Sequence, residues 1–336
     1  MKKQMSEQED SDHIAMWGAP GSGKTTLLAA LSFALLQRRG PWRLVGTDPA
    51  SIEILRDKSA ALARREFPPA TIDIERFRWL LLGDPVQLQK RFAGRFNGKA
   101  RTMPAPRVGL NLIDPPGGVY TDKERPADHA KLLENLQRSR GIVYLFDPIR
   151  EFEDGNAFEY LHGALIQLAS RMLAEDAPSD GRLPHYLAVC ITKFDDRRVL
   201  ETAEKLNLVT TDPDDPHGFP AVDDENAQTL FHNLCDISAS GSAEFVMGAL
   251  EQYFRPDRIK FFVTSSIGFY LKPGTRGFNP RDYQNMVRKP QDGTNGREPS
   301  TEFEIRGQAR PINVREPVTW LAEQIYADQL KPGNGR

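Results

Sequence analysis

Cysteine is nearly absent from this chain: only Cys190 and Cys235 occur in 336 residues. Two thiols cannot form a disulfide framework, and Cys190 falls inside the apolar run Tyr186 to Ile191, so both are expected as buried, reduced thiols. Long apolar runs are missing too. The longest, Leu27 to Leu36, has ten residues and includes Ser32, well short of the roughly 20 that cross a bilayer. The opening MKKQMSEQED lacks the apolar centre of a signal peptide. A cytoplasmic setting without membrane contact is therefore expected. No charge sign dominates, with 44 basic residues against 46 acidic ones, which gives no general attraction to nucleic acid. The six histidines are scattered and show no metal-ligand spacing.

What the chain does have is an alternation of short apolar runs with longer amphipathic ones. Strands are expected at His13 to Trp17, Arg43 to Gly46, Phe77 to Leu82, Val108 to Ile113, Gly141 to Phe146, Tyr186 to Ile191 and Ile259 to Thr264. Helices are expected at Thr25 to Arg39, Ser51 to Glu66, Asp128 to Arg138, Ala157 to Leu173, Glu225 to Leu234, Ser242 to Phe254 and Pro317 to Gln329. Such alternation implies an α/β domain built on a largely parallel sheet. No helix-length pattern separates Phe77 to Leu82 from Val108 to Ile113, so these two should pair antiparallel at one sheet edge. Residues 1–11 and 331–336 are expected as disordered tails around a single enlarged domain, 12–330, with insertions at about 41–70, 83–106, 200–240 and 274–311. Gly274 to Pro311, dense in Gly, Pro, Arg and Asp, is expected as a surface excursion.

The most informative segment is Gly18-Ala19-Pro20-Gly21-Ser22-Gly23-Lys24-Thr25, between the first strand and the first helix. It matches G-x4-G-K-[ST], a phosphate-binding loop in its proper context, which arises by chance in about 1% of chains this long. Glycines let consecutive N–H groups face one anion at a helix N-terminus that favours negative charge. Lys24 would reach the β and γ phosphates, the Thr25 hydroxyl would ligate Mg²⁺, and Thr26 would complete the first turn.

Three further elements follow in order. Leu110 to Ile113 leads into Asp114-Pro115-Pro116-Gly117, where Asp114 could hold the Mg²⁺ shell and the Gly117 N–H could approach the γ phosphate. Thr192-Lys193-Phe194-Asp195 ends another apolar run. A carboxylate at Asp195 can accept from guanine N1–H and its exocyclic amine, whereas adenine presents a bare lone pair. Two such bonds, at about 1.5 to 3 kcal/mol each, separate GTP from ATP by roughly 10² to 10⁴. Lys193 can lay its stem over the base. Finally, backbone N–H groups of Ser265, Ser266 and Ile267 are placed to meet the guanine O6.

These four elements in this order resemble the GTP-binding motifs of Ras-like, translation-factor-class P-loop GTPases. The resemblance spans Ile14 to Gly268, with Pro317 to Gln329 as the closing helix. It implies a P-loop NTPase three-layer sandwich: a mostly parallel sheet with one antiparallel edge strand and helices on both faces. It also implies binding of Mg-GTP and hydrolysis to GDP and phosphate. More narrowly, Trp42 to Ser51, Phe67-Pro68-Pro69-Ala70-Thr71, the Asp114 to Gly117 turn and Val189 to Asp196 are similar to the bacterial double-GTPase modules of conflict systems. That resemblance implies an activating or effector protein as partner, or pairing with a second copy or a partner GTPase.

Two departures and one position left open between candidates qualify the expectation. Thr192 stands where Asn is commoner, removing an amide that would tie this loop to the phosphate loop. The first-switch threonine, a ligand of Mg²⁺ in the GTP state, is expected at Thr71, with Thr102 as the alternative. Gly118 stands where many relatives carry the Gln that orients water, so intrinsic hydrolysis should be slow. Arg101, Arg107, Arg125 and His129 are the nearby candidates to compensate. Asp48 is an extra candidate Mg²⁺ carboxylate, although a helix cap for the segment from Ser51 fits it better. A GTP-dependent scaffold without useful hydrolysis, and an ATP-using P-loop protein, remain as alternative readings.

Overall fold

Apolar side chains on both sides of each short run put the strands between two layers of helix. The computed structural model describes residues 13–37, 40–69, 75–85, 105–114, 126–176, 180–237, 244–289 and 302–330. Strands β1 (His13–Gly18), β2 (Trp42–Gly46), β3 (Glu75–Gly83), β4 (Arg107–Asp114), β5 (Gly141–Phe146), β6 (Tyr186–Ile191) and β9 (Ile259–Val263) form one seven-stranded sheet in the order β2-β3-β4-β1-β5-β6-β9. From β4 onward the pairings are parallel. The antiparallel character is confined to one edge: β3 runs against both β4 and the outermost β2.

Period-2 alternation along the central strands divides the core in two. Ala15, Trp17, Tyr144, Phe146, Val189 and Ile191 face one side. There they meet α3 (Pro126–Arg138), α5 (Ala157–Asp176), α6 (Arg197–Lys205), α7 (Asp224–Asp236) and α8 (Glu244–Tyr253). Ile14, Met16, Val143, Leu145, Ala188 and Cys190 face the other, against α1 (Lys24–Gln37), α2 (Pro49–Ala63) and α9 (Arg315–Gln329). The result is an α/β three-layer sandwich. Both cysteines are buried, as expected, and burial pushes each thiol pKa up.

Two helices were not anticipated. The short α4 (Pro148–Asp154) is capped by Asp147, which accepts from the Ile149 and Arg150 N–H groups, and is closed by Gly155 at φ 62°. Helix α6 starts at Asp196, whose carboxylate accepts from Arg198 N–H. The insertions add a hairpin, β7 (Val209–Thr211) with β8 (Pro220–Val222), and a pair, β10 (Met286–Arg288) with β11 (Phe303–Ile305). The expected surface excursion at 274–311 is therefore partly wrong. Asn285 and Ile305 are buried, because this strap is hydrogen-bonded down onto the loop after β9. Residues 1–12, 86–104, 290–301 and 331–336 lie outside the described residues, as do the expectations that fall on them. No described helix is long and apolar enough to cross a membrane.

Candidate functional site

Parallel strands bring their carboxyl ends to one edge, and the sequence motifs follow those ends. The chain leaves β1 for α1 on one face and β4 for α3 on the other. A crevice opens where neighbouring connections diverge in this way, and that is where α/β sheets bind ligands. Ala15 pairs with Asn111, so Gly18 and Asp114, each three residues further on, end level with one another at this crevice.

Gly21 at φ 75° and Gly23 at φ 92° hold the loop in the left-handed backbone region that its tight turn requires. Ser22 N–H closes the turn on Ala19 O at 3.1 Å, and Leu27 N–H bonds Gly23 O at 2.7 Å to start α1. Among the described residues the Gly21 and Gly23 N–H groups have no acceptor, the arrangement of an anion cradle. Lys24 is buried, and its Nζ donates to Gly18 O and Ala19 O, both at 3.1 Å. These two bonds place the ammonium against the first residues of the loop. Thr25 and Thr26 follow in the first turn of α1, half-buried. A hydroxyl and a carboxylate are hard oxygen donors that fit Mg²⁺, and Thr25 and Asp114 stand at the two lips of the crevice. The Asp114 side chain lies outside the described residues, as do Thr71, Thr102, Gly117, Gly118, Arg101, Arg125 and the His129 side chain.

At the end of β6, Thr192 donates its hydroxyl to Phe146 O at 3.0 Å, and among the described residues it makes no hydrogen bond to the phosphate loop. Lys193 takes φ 59° and pairs with the buried Asp147 carboxylate at 2.5 Å. Asp195 is buried, and loss of solvent pushes its pKa up to about 6. Ser265 donates its hydroxyl to Asp195 at 2.5 Å, which partly offsets that rise.

Ser265 corrects one expectation. Its N–H is already bonded to Ile312 O at 3.0 Å and so is not turned outward, while its hydroxyl holds Asp195. Gly268 N–H is likewise taken, by Ser265 Oγ at 2.8 Å. This leaves the Ser266 and Ile267 N–H groups without an acceptor among the described residues.

Of two further candidates, one lies far from the crevice and the other is engaged as a helix cap. Arg107 begins β4, at the opposite end of the strand from Asp114, at least ~20 Å away at strand rise. Asp48 caps α2: its two oxygens accept from Ser51 N–H and Ser51 Oγ, both at 2.8 Å, and these bonds lower its pKa.

Sequence reasoning missed Arg150. Its Nη1 donates to Pro20 O in the phosphate loop at 3.1 Å. Asp147 links this helix start to Lys193 of the base motif. A chain of contacts, Lys193 to Asp147 to the cap of α4 to Arg150 to Pro20, thus joins base motif to phosphate loop where the Thr192 side chain does not. Among the described residues no group of three or more His, Cys, Asp or Glu side chains could hold a metal by itself.

No protein family matches the chain, and no curated protein matches it. Similar solved structures include the GTP-bound GTPase-like domain of S. cerevisiae Ski7, at 15% identity and TM-score 0.37, covering 78% of this chain and 45% of that one. Another is the signal recognition particle receptor SRb-GTP/SRX complex from Chaetomium thermophilum, at 14% identity and TM-score 0.34, covering 79% of this chain and 94% of that one. A bacterial selenocysteine-specific elongation factor, EF-Sec, matches at 17% identity and TM-score 0.27, covering 59% of this chain and 23% of that one. This chain therefore spans less than half the length of the Ski7 and EF-Sec chains it matches.

Proposed function

We propose that the chain is a guanine-nucleotide switch of the Ras-like, translation-factor class, which binds Mg-GTP and hydrolyses it slowly to GDP and phosphate. One observation carries the reading: a glycine-turned phosphate loop with a buried Lys24 and a buried carboxylate, Asp195, lie at the same edge of the sheet. In this assignment residues Gly18 to Thr26 cradle the phosphates. Asp195, held by Ser265, reads guanine with Lys193 over the base, and the Ser266 and Ile267 N–H groups face O6. Thr25, Asp114 and the Thr71 hydroxyl would hold Mg²⁺, which would supply positive charge to the β and γ phosphates. Lys24 leaves its two carbonyls for phosphate oxygens, Gly117 N–H meets the γ phosphate, and water attacks in line.

The similarity of Trp42 to Ser51 and Asp114 to Gly117 to double-GTPase modules supports a cytoplasmic role in bacterial conflict signalling, with an activating or effector partner or a second GTPase copy. A GTP-dependent scaffold is the second reading, favoured by glycine at position 118.

Competitive binding of GTP, GDP and ATP with Mg²⁺, followed by single-turnover phosphate release, tests the assignment. GTP should bind about 10² to 10⁴ more tightly than ATP, and Lys24→Ala should abolish turnover. Turnover by Lys24→Ala equal to the parent sinks the assignment. ATP preference moves the protein to another P-loop class, and tight GTP binding with no release supports the scaffold.

A further inference from the structure

Pro20 removes a donor from the phosphate loop, because proline has no N–H to offer an anion. The fold sets a guanidinium at that same point. Arg150, the third residue of α4, donates Nη1 to Pro20 O at 3.1 Å and Nε to Asn156 Oδ1 at 3.0 Å. Its Nη2 lies 3.4 Å from the Asp154 carboxylate, and its carbon lies 5.1 Å from the centre of the Tyr160 ring. Asn156, Asp154 and Tyr160 fix the plane of the group from α4 and α5. The single contact to the loop is with a neutral carbonyl, and 24% of the side chain remains exposed.

Arg150 and Lys24 bond consecutive carbonyls of one loop, Pro20 for Arg150 and Gly18 and Ala19 for Lys24. Lys24 must reach the β and γ phosphates, and its ammonium rests on Gly18 and Ala19, the two residues before Pro20. We propose that Arg150 is the arginine, supplied in cis, that stabilises charge on the transferred phosphoryl group, exchanging Pro20 O for a γ-phosphate oxygen. This rests on the GTPase reading above.

In the step itself the water oxygen bonds to the γ phosphorus and the bond to the β–γ bridging oxygen breaks. The electron pair leaves with GDP, and the water proton passes to the phosphate. Arg150 donates hydrogen bonds and transfers no proton, since a guanidinium stays charged. Such an arginine changes phosphoryl-transfer rates by about 10³ to 10⁵; with Asp154 drawing on part of its charge, the lower end is expected. It would supply a charged group to a chain whose residue 118 is glycine and offers none.

The test compares the parent with Arg150→Ala and Arg150→Lys for GTP affinity, single-turnover hydrolysis and binding of GDP with aluminium fluoride, a mimic of the transition state. Arg150→Ala should hydrolyse at least about 100-fold more slowly and fail to trap the aluminium fluoride complex, with GTP affinity within about fivefold of the parent. Arg150→Lys keeps the charge without the planar fork and should recover no more than about tenfold. If Arg150 only ties α4 to the loop, affinity falls and the bound-state rate does not, which overturns the inference. A parent that binds GTP but turns it over no faster than Arg150→Ala also overturns it and leaves the GTP reading standing. A parent that binds no GTP overturns the GTP reading itself and the inference with it.

Discussion

Asp195 and His185 are buried titratable residues whose effects on stability oppose each other. Burial pushes the Asp195 pKa up from 3.8 to about 6, so the proton favours the folded chain. Its stability contribution is complete below about pH 3.8 and is lost as pH rises through about 6. At neutral pH ionised Asp195 therefore costs up to about 3 kcal/mol of stability, a cost that the proposed reading accounts for, since only the ionised carboxylate can take both guanine donors. His185 does the reverse. Burial lowers its pKa from 6.5 to about 4, while its Nε2–H donates to Leu136 O at 3.0 Å. Its contribution is complete above about pH 6.5 and is lost as pH falls toward about 4. Between those limits the two slopes offset each other. Asp195→Asn keeps an acceptor for Ser265 and removes only the charge, so it should raise nucleotide-free stability at pH 8 by about 1 to 3 kcal/mol and abolish the preference for GTP over ATP. It should also expose the His185 slope, seen as urea midpoints that fall from pH 6.5 to pH 4.5 more steeply than in the parent. Parallel profiles for the two proteins would show that Asp195 does not titrate in this range.

At the scale of elements, the strap at 274–311 fastens the loop after β9, and Asn285, just before β10, is its rivet. Its Nδ2 donates to Ile267 O at 3.0 Å and Gln308 O at 3.3 Å, while its Oδ1 accepts from Gly307 N–H at 2.8 Å. Asn285→Ala leaves these buried backbone groups short of partners, at a cost of about 2 to 4 kcal/mol in urea unfolding. It should weaken GTP and GDP binding together, since the Ser266 and Ile267 N–H groups move; unchanged affinity for both would mean that the strap does not position the base loop. This contact joins residues 18 positions apart through a side chain, and no local pattern announces it. The seven sheet strands, by contrast, were legible because each is a short apolar run bounded by polar turns. Helices α4 and α6 were not, because seven and nine polar-rich residues are too few to establish a 3.6-residue period. The same contrast runs through the site. The loop Gly18 to Thr25 and the segment Thr192 to Asp195 are local spacings, readable in order, whereas Arg150 meets Pro20 across 130 residues. The Ser265 hydroxyl was passed over because its partner, Asp195, is 70 residues away.

Across the whole molecule, the site is stitched from segments that share only the carboxyl edge of the sheet: the loop after β1, Asp114 of β4, the start of α4, the turn after β6 and the loop after β9. A nucleotide lying along that edge would tie together strands whose helices pack in both cores, so binding should stabilise the molecule as a unit. For a ligand that binds only the folded state, 100-fold excess over Kd contributes about 2.7 kcal/mol. With an unfolding entropy of about 2.1 cal/mol/K per residue over 336 residues, this is a rise in Tm of about 4 °C. Scanning calorimetry with Mg-GTP, Mg-GDP and Mg-ATP at equal concentration should show that rise for the guanine nucleotides and little for ATP. Lys24→Ala should lose most of the GTP shift, and Asp195→Asn should lose the difference between GTP and ATP. If one nucleotide spans Lys24 and Asp195, the two effects should be lost separately, the affinity with Lys24 and the base preference with Asp195. If Lys24→Ala and Asp195→Asn each leave the GTP shift untouched, the ligand binds elsewhere on the fold.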